Sequence, residues 1–137
     1  MDRDPDITIT LPVPPSTNRL QRSAIRPAKN TGKLRAVRIS TDDYKAWQET
    51  AAIYIAQQRR GYFVPWRYEM RMTIGEGRVD PSNRIKAVED ILQTCGVIAN
   101  DKHLRLLELI VDEDQSPMNV KVEIWSHGPA PTKGKRR

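Results

Sequence analysis

Ile7, Ile9 and Leu11 alternate with Thr8 and Thr10, the two-residue period of a strand with one face buried. Pro12, Pro14 and Pro15 close it, because proline offers no donor to a sheet ladder. Across residues 40–60 the period changes. Tyr44, Trp47, Ala51 and Ile55 recur at spacings of three and four, the apolar stripe of a helix lying on a sheet rather than a platform for stacking bases. Ser40 or Thr41 is placed to cap that helix, Asp42 and Asp43 suit its positive end, and Gly61 stops it. Period two returns at Tyr68, Met70, Met72 and Ile74, and a polar connection then leads into a second helical pattern. A third strand follows at residues 104–111 and a fourth at Val120, Val122 and Ile124, with a turn-rich stretch between them that predicts a hairpin. The predicted order is strand, helix, strand, helix, strand, strand: an α+β fold with a mixed sheet of about four strands and two main helices against it.

The second helical pattern lies in residues 80–101, D-P-S-N-R-I-K-A-V-E-D-I-L-Q-T-C-G-V-I-A-N-D. At about 100° per residue, Lys86 and Asp90 fall within about 60° of Asn83, while Ile85, Val88, Ile91, Leu92 and Cys95 cover the other side. Gly96 suits the left-handed residue that ends a helix, and a short return would bring Asn100 and Asp101 back beside its start. Asp80, Asp90, Asp101 and Lys86 would then stand together, as a Mg²⁺ and phosphate site requires. A plainer reading competes. Asp80 also fits an N-cap with Pro81 at the first helical position, and Lys86 with Asp90 fits a surface ion pair of little consequence.

Composition narrows the setting. A chain of 137 residues is most simply one domain, here residues 1–127, followed by a disordered basic tail over 128–137. One cysteine, Cys95, leaves no disulfide and suits a reducing, cytoplasmic compartment. No signal peptide and no membrane-length apolar run is present, so a membrane partner is not expected. The net charge of +6 is clustered: Arg19, Arg22, Arg26, Lys29, Lys33, Arg35 and Arg38 fall in one acid-free stretch, which reads as a mobile basic loop over 19–38. Val37 and Ile39 would add a short edge strand to it. Such a stretch points to a polyanion, nucleic acid first. The basic tail, Lys133 to Arg137, reads as a solubilising extension. Two histidines far apart in sequence, His103 and His127, give a zinc site no support.

Three segments in this order resemble the RusA family of Holliday junction resolvases, endonucleases that cut four-way DNA junctions. Residues 11–19, L-P-V-P-P-S-T-N-R, are similar to the family's first strand followed by P-P-S-x-N-R. Ser40 with Tyr44 is similar to a serine and a tyrosine at its first helix. The 80–101 stretch is similar to D-x-D-N-x-x-K, a helix with an internal aspartate, a glycine and an acidic pair. The resemblance spans roughly residues 7–124, nearly the whole chain.

The resemblance implies a homodimer that binds branched DNA, with Mg²⁺ as cofactor and Mn²⁺ as a substitute, acting in DNA recombination and repair in a bacterium or its phage. It implies Asp80 and Asp101 as metal ligands, Lys86 and Asp90 as further catalytic groups, and Asn83 beside them. DNA contacts would come from Asn18, Arg19, Arg22, Arg26, Lys29, Lys33 and Arg35, and from Asn83. The chain departs from the pattern at two places: Ser82 occupies the slot of the second catalytic aspartate, and Asn100 that of the first member of the acidic pair. A serine hydroxyl ligates Mg²⁺ where phosphate oxygens share the task, so Ser82 joins Asp80 and Asp101 as an expected ligand. The alternative is a protein that binds junctions without cutting them. A third reading, an RNA-binding or general basic adaptor module, explains the charge but not the acid and lysine spacing.

Overall fold

The structure, a computed structural model, describes residues 1–15, 21–27, 34–40, 42–77 and 84–131, the second and third of these through their backbone only. Six strands and two helices follow in the order β1 (Ile7–Pro12), β2 (Gln21–Pro27), β3 (Leu34–Ser40), α1 (Asp42–Gln58), β4 (Tyr68–Ile74), α2 (Ile85–Thr94), β5 (Leu104–Val111) and β6 (Asn119–Ser126). Four of the strands form a mixed sheet in the order β1-β6-β4-β5, with β4 and β5 parallel and the other pairs antiparallel. Set against the two helices, this sheet carries the expected α+β order. β2 and β3 form a separate antiparallel ribbon.

The periodicities account for the core. Ile9 and Leu11 of β1, Tyr68, Met70 and Met72 of β4, and Val120, Val122 and Ile124 of β6 are completely buried. The α1 stripe of Tyr44, Trp47, Ala51 and Ile55 lies against them, as does the α2 stripe of Ala87, Val88, Ile91 and Leu92. Each large side chain so buried stabilises the fold by about 1.5–3 kcal/mol relative to exposure. β1 is a sheet edge, and α1 closes it: the Gln58 amide exchanges two 2.8 Å hydrogen bonds with the Thr10 backbone, and Trp47 Nε1 donates to the Pro12 carbonyl at 2.8 Å.

Three expectations are corrected. β5 and β6 are not a hairpin: β6 lies between β1 and β4, and β5 pairs with β4 alone, on the far edge. The connection between them crosses the end of β4, where Asp112 N donates to the Ile74 carbonyl at 2.9 Å. Gly75 allows the crossing, because a Cβ there would stand 2.8 Å from both Pro117 N and Ser116 C. Residues 21–27 and 34–40, read as parts of a loop, have strand backbone, and Val37 and Ile39 pair with Ala24 and Arg22 in the ribbon rather than with the main sheet. Finally, Ser40 ends β3 instead of capping α1, and Thr41 lies outside the described residues. So do Asp80 and Pro81, the residues considered for the opening of α2, which begins at Ile85.

Candidate active site

The buried stripe of α2 fixes the helix's rotation, and the opposite side carries Glu89, Gln93, Lys86 and Asp90 across about 100° of its circumference. Lys86 Nζ stands 2.9 Å from Asp90 Oδ1, one turn along, and 3.1 Å from Asp101 Oδ2. The first contact is local. The second spans fifteen residues and depends on how the helix ends.

That ending follows from Gly96, whose φ of 75° lets the chain reverse. Gly96 N donates to the Gln93 carbonyl at 3.1 Å and Val97 N to the Leu92 carbonyl at 2.9 Å, the paired bonds of a Schellman turn. Val97 and Ile98 are then buried, and Val64 holds them through 2.8 and 2.9 Å bonds to Val97 O and from Ala99 N. Asn100 caps the short 3₁₀ turn Asp101–His103, its side chain accepting from Lys102 N at 2.9 Å. The residue that departs from an acidic pair thus has a structural task here. Asp101 N donates to Gln93 Oε1 at 3.0 Å, so Asp101 is anchored to α2 by both main chain and side chain.

The electrostatics follow from this crowding. Hydrogen bonds from Lys86 to Asp90 and then to Asp101 push its ammonium well above the usual lysine range, so it is a fixed cation rather than a proton acceptor. Glu89 is half-buried, and burial pushes its carboxyl up; the charges of Asp101 and Asp90 add to this while Lys86 opposes it. Tyr68 is completely buried and its hydroxyl has no partner among the described residues. Burial raises it strongly, and the charges of Glu89 and Asp101 raise it further. On the α1 side, burial and Asp90 raise Tyr44 in the same way. Tyr44, Gln48, Asp90, Gln93 and Thr94 line a cleft of about 370 Å³ between the two helices.

Of the residues expected at the site, Lys86, Asp90 and Asp101 come together. Asp80, Ser82 and Asn83 lie outside the described residues, as do Asn18, Arg19, Lys29 and Lys33. Arg22 and Arg26 fall on β2 and Arg35 on β3, where the register sets Arg26 directly opposite Arg35. Among the described residues no three His, Cys, Asp or Glu side chains group closely enough to hold a metal ion by themselves, and no helix is long and apolar enough to cross a membrane. Sequence reasoning missed Glu89, Gln93 and Tyr68. Gln93 shares the spacing that singled out Lys86 and Asp90; Glu89 lies at the edge of that stripe, and the buried hydroxyl of Tyr68 leaves no trace in a strand pattern. No model of a known protein family matches the chain, and no curated protein does.

Proposed function

We propose that the chain is a Mg²⁺-dependent endonuclease that resolves four-way DNA junctions as a homodimer. The observation that carries the proposal is the contact of Lys86 with Asp101, an ammonium and a carboxylate brought from separate elements to one solvent-facing stripe. A surface ion pair of this kind adds little stability, so the fold's effort in anchoring Asp101 calls for another use. The residues fit a hard, oxygen-seeking dication: Asp101 offers carboxylate oxygens, and the buried Tyr68 hydroxyl, without a partner among the described residues, lies within reach of its charge. Asp80, Asp101 and Ser82 would hold the ion, which when bound supplies an acidified water and a polarised phosphate. Lys86 would stabilise the charge that builds on the phosphoryl oxygens. Asn18, Arg19, Arg22, Arg26, Lys29, Lys33, Arg35 and Asn83 would grip flanking DNA. The pairing of Arg26 with Arg35 supports this, because like charges opposite one another in a ribbon cost stability unless an anion lies between them. Two-fold symmetry of the substrate matches a two-fold dimer.

A second reading, binding without cutting, is favoured by Ser82, a neutral group in an expected ligand slot. A synthetic mobile junction incubated with the protein and Mg²⁺ or Mn²⁺ separates the two. Paired symmetrical nicks, lost in Asp80→Asn with binding kept, support the endonuclease. A retarded but intact junction under every metal condition supports the binder, and no retardation overturns both.

A further inference from the structure

We infer that Glu89 is a further ligand of the divalent cation, bound together with Asp101 and positioned by the hydroxyl of Tyr68. This rests on the reading of the site as a cation-dependent one and adds a residue to it. Asp101 approaches α2 over Lys86 and Gln93, which lie along the middle of the helix's polar stripe. Glu89 borders that middle on one side and Asp90 on the other, at about 60° either way from Lys86 and Gln93 respectively. Asp90 is already committed to Lys86 at 2.9 Å. The Glu89 carboxylate makes no hydrogen bond or ion pair among the described residues, and it is half-buried within reach of the Asp101 charge.

Charge and hydrogen bonding both point to a cation as the occupant of this place. The charges acting on Glu89 among the described residues are Asp101, Asp90 and Lys86, so with Glu89 itself three carboxylates share one ammonium. The excess of two negative charges matches one dication. Tyr68 supplies the independent sign: a completely buried hydroxyl with no partner among the described residues, on a strand whose register pairs Tyr68 with Leu104, three residues after Asp101, and within reach of the charges of both acids. Buried hydroxyls without partners are uncommon in folded proteins. A donor fixed at that place would hold one oxygen of Glu89, or a water in the cation's shell, leaving the other oxygen for the ion.

The test is Mn²⁺ titration of the full chain without DNA, with free Mn²⁺ read by electron paramagnetic resonance. Glu89→Gln is expected to weaken binding at least tenfold, Asp101→Asn likewise, and Tyr68→Phe several-fold. The exposed α1 variant Glu49→Gln is expected to bind as the parent does, and circular dichroism checks that each variant is folded. Glu89→Asp, which keeps the charge but draws it back, covers a failure of Glu89→Gln to fold, and is expected to bind several-fold more weakly. Parental affinity in either Glu89 variant overturns the inference while leaving the site intact, provided Asp101→Asn loses the ion. A parent protein that neither binds Mn²⁺ nor nicks the junction overturns the inference and the endonuclease together.

Discussion

Arg84 Nε donates to the carbonyl of Pro14 at 2.9 Å, tying the last turn before α2 to the chain leaving β1. Seventy residues separate the two, yet Pro14 opens the P-P-S-T-N-R segment and Arg84 follows D-P-S-N. The guanidinium is half-buried, and burial draws its pKa below the usual arginine value, so the bond is made away from bulk water. Arg84→Met should therefore lower unfolding free energy by about 1–3 kcal/mol, since the Pro14 carbonyl would be left without its donor. Urea denaturation measures this. Junction affinity should fall as well, and a variant matching the parent in both would show the tether to be incidental.

The alternations at Ile9 and Leu11 and at Tyr68, Met70 and Met72 were legible because period two reports which side of a strand meets the core. It does not report which strand lies at which edge. β5 and β6 therefore read as neighbours, although Val120, Val122, Ile124 and Trp125 are all buried in the central β6 while Leu106 and Val111 of β5 stay about half exposed. Proline, glycine and lysine made residues 19–38 read as loop and hid the ribbon pairing of Ala24 with Val37. At the site, Lys86 and Asp90 were legible from spacing, and Asp101 from the turn after Gly96. Glu89 was not, because it lies on the border between the apolar and polar sides of α2, where periodicity assigns neither role.

Lys86 should separate activity from stability. Its side chain is 69 % exposed, so Lys86→Ala should leave the thermal midpoint nearly unchanged. If the ammonium stabilises charge on the reacting phosphate, nicking should fall by about 10²–10³-fold, with Lys86→Arg recovering part of it. Single-turnover cleavage of a labelled junction measures both. Nicking within threefold of the parent in Lys86→Ala would remove the lysine from the chemistry.

Gly75 should act on the fold alone. A methyl group there meets backbone atoms of Ser116 and Pro117, which have no flexible end to swing aside. Gly75→Ala should cost about 1–3 kcal/mol, the usual range for forced overpacking. Its denaturation midpoint should fall while Mn²⁺ affinity of the folded protein stays near the parent's. Full stability in the variant would mean that the crossing has room to spare.

Acid sensitivity should come from two carboxylates on the sheet's outer side. Burial acts to raise Asp6, but the guanidinium of Arg3, the Ser126 N–H at 2.7 Å and the Tyr62 hydroxyl at 3.1 Å outweigh it and hold the carboxyl below its ordinary range. His127, with Nε2 at 2.7 Å, does most to hold Glu69 low. A carboxyl whose folded pKa lies below its unfolded one adds stability above the unfolded value of about 4, and that stability disappears as pH falls through the folded value. The thermal midpoint should therefore vary little with these groups from pH 7 to pH 5 and decline below about pH 4. Asp6→Asn with Glu69→Gln should flatten that decline, and an acid limb superimposable on the parent's would assign it to other groups.

Arg26 and Arg35 supply the sharpest test of what the ribbon binds. Opposed arginines repel, so in the free protein Arg35→Gln should stabilise the β2–β3 pairing slightly, by about 0.2–1 kcal/mol. With DNA bound the sign should reverse, because each arginine on a phosphate releases condensed counterions. The slope of log affinity against log salt should shrink by about 0.9 for each phosphate of a duplex arm that is no longer neutralised, and about twice that in the Arg26→Gln, Arg35→Gln double variant. Junction affinity measured across a salt series gives the slope directly. A double variant that weakens binding equally at every salt concentration would mean that the ribbon acts through shape or base recognition instead. One that leaves both affinity and slope untouched would move the DNA surface off β2 and β3 altogether.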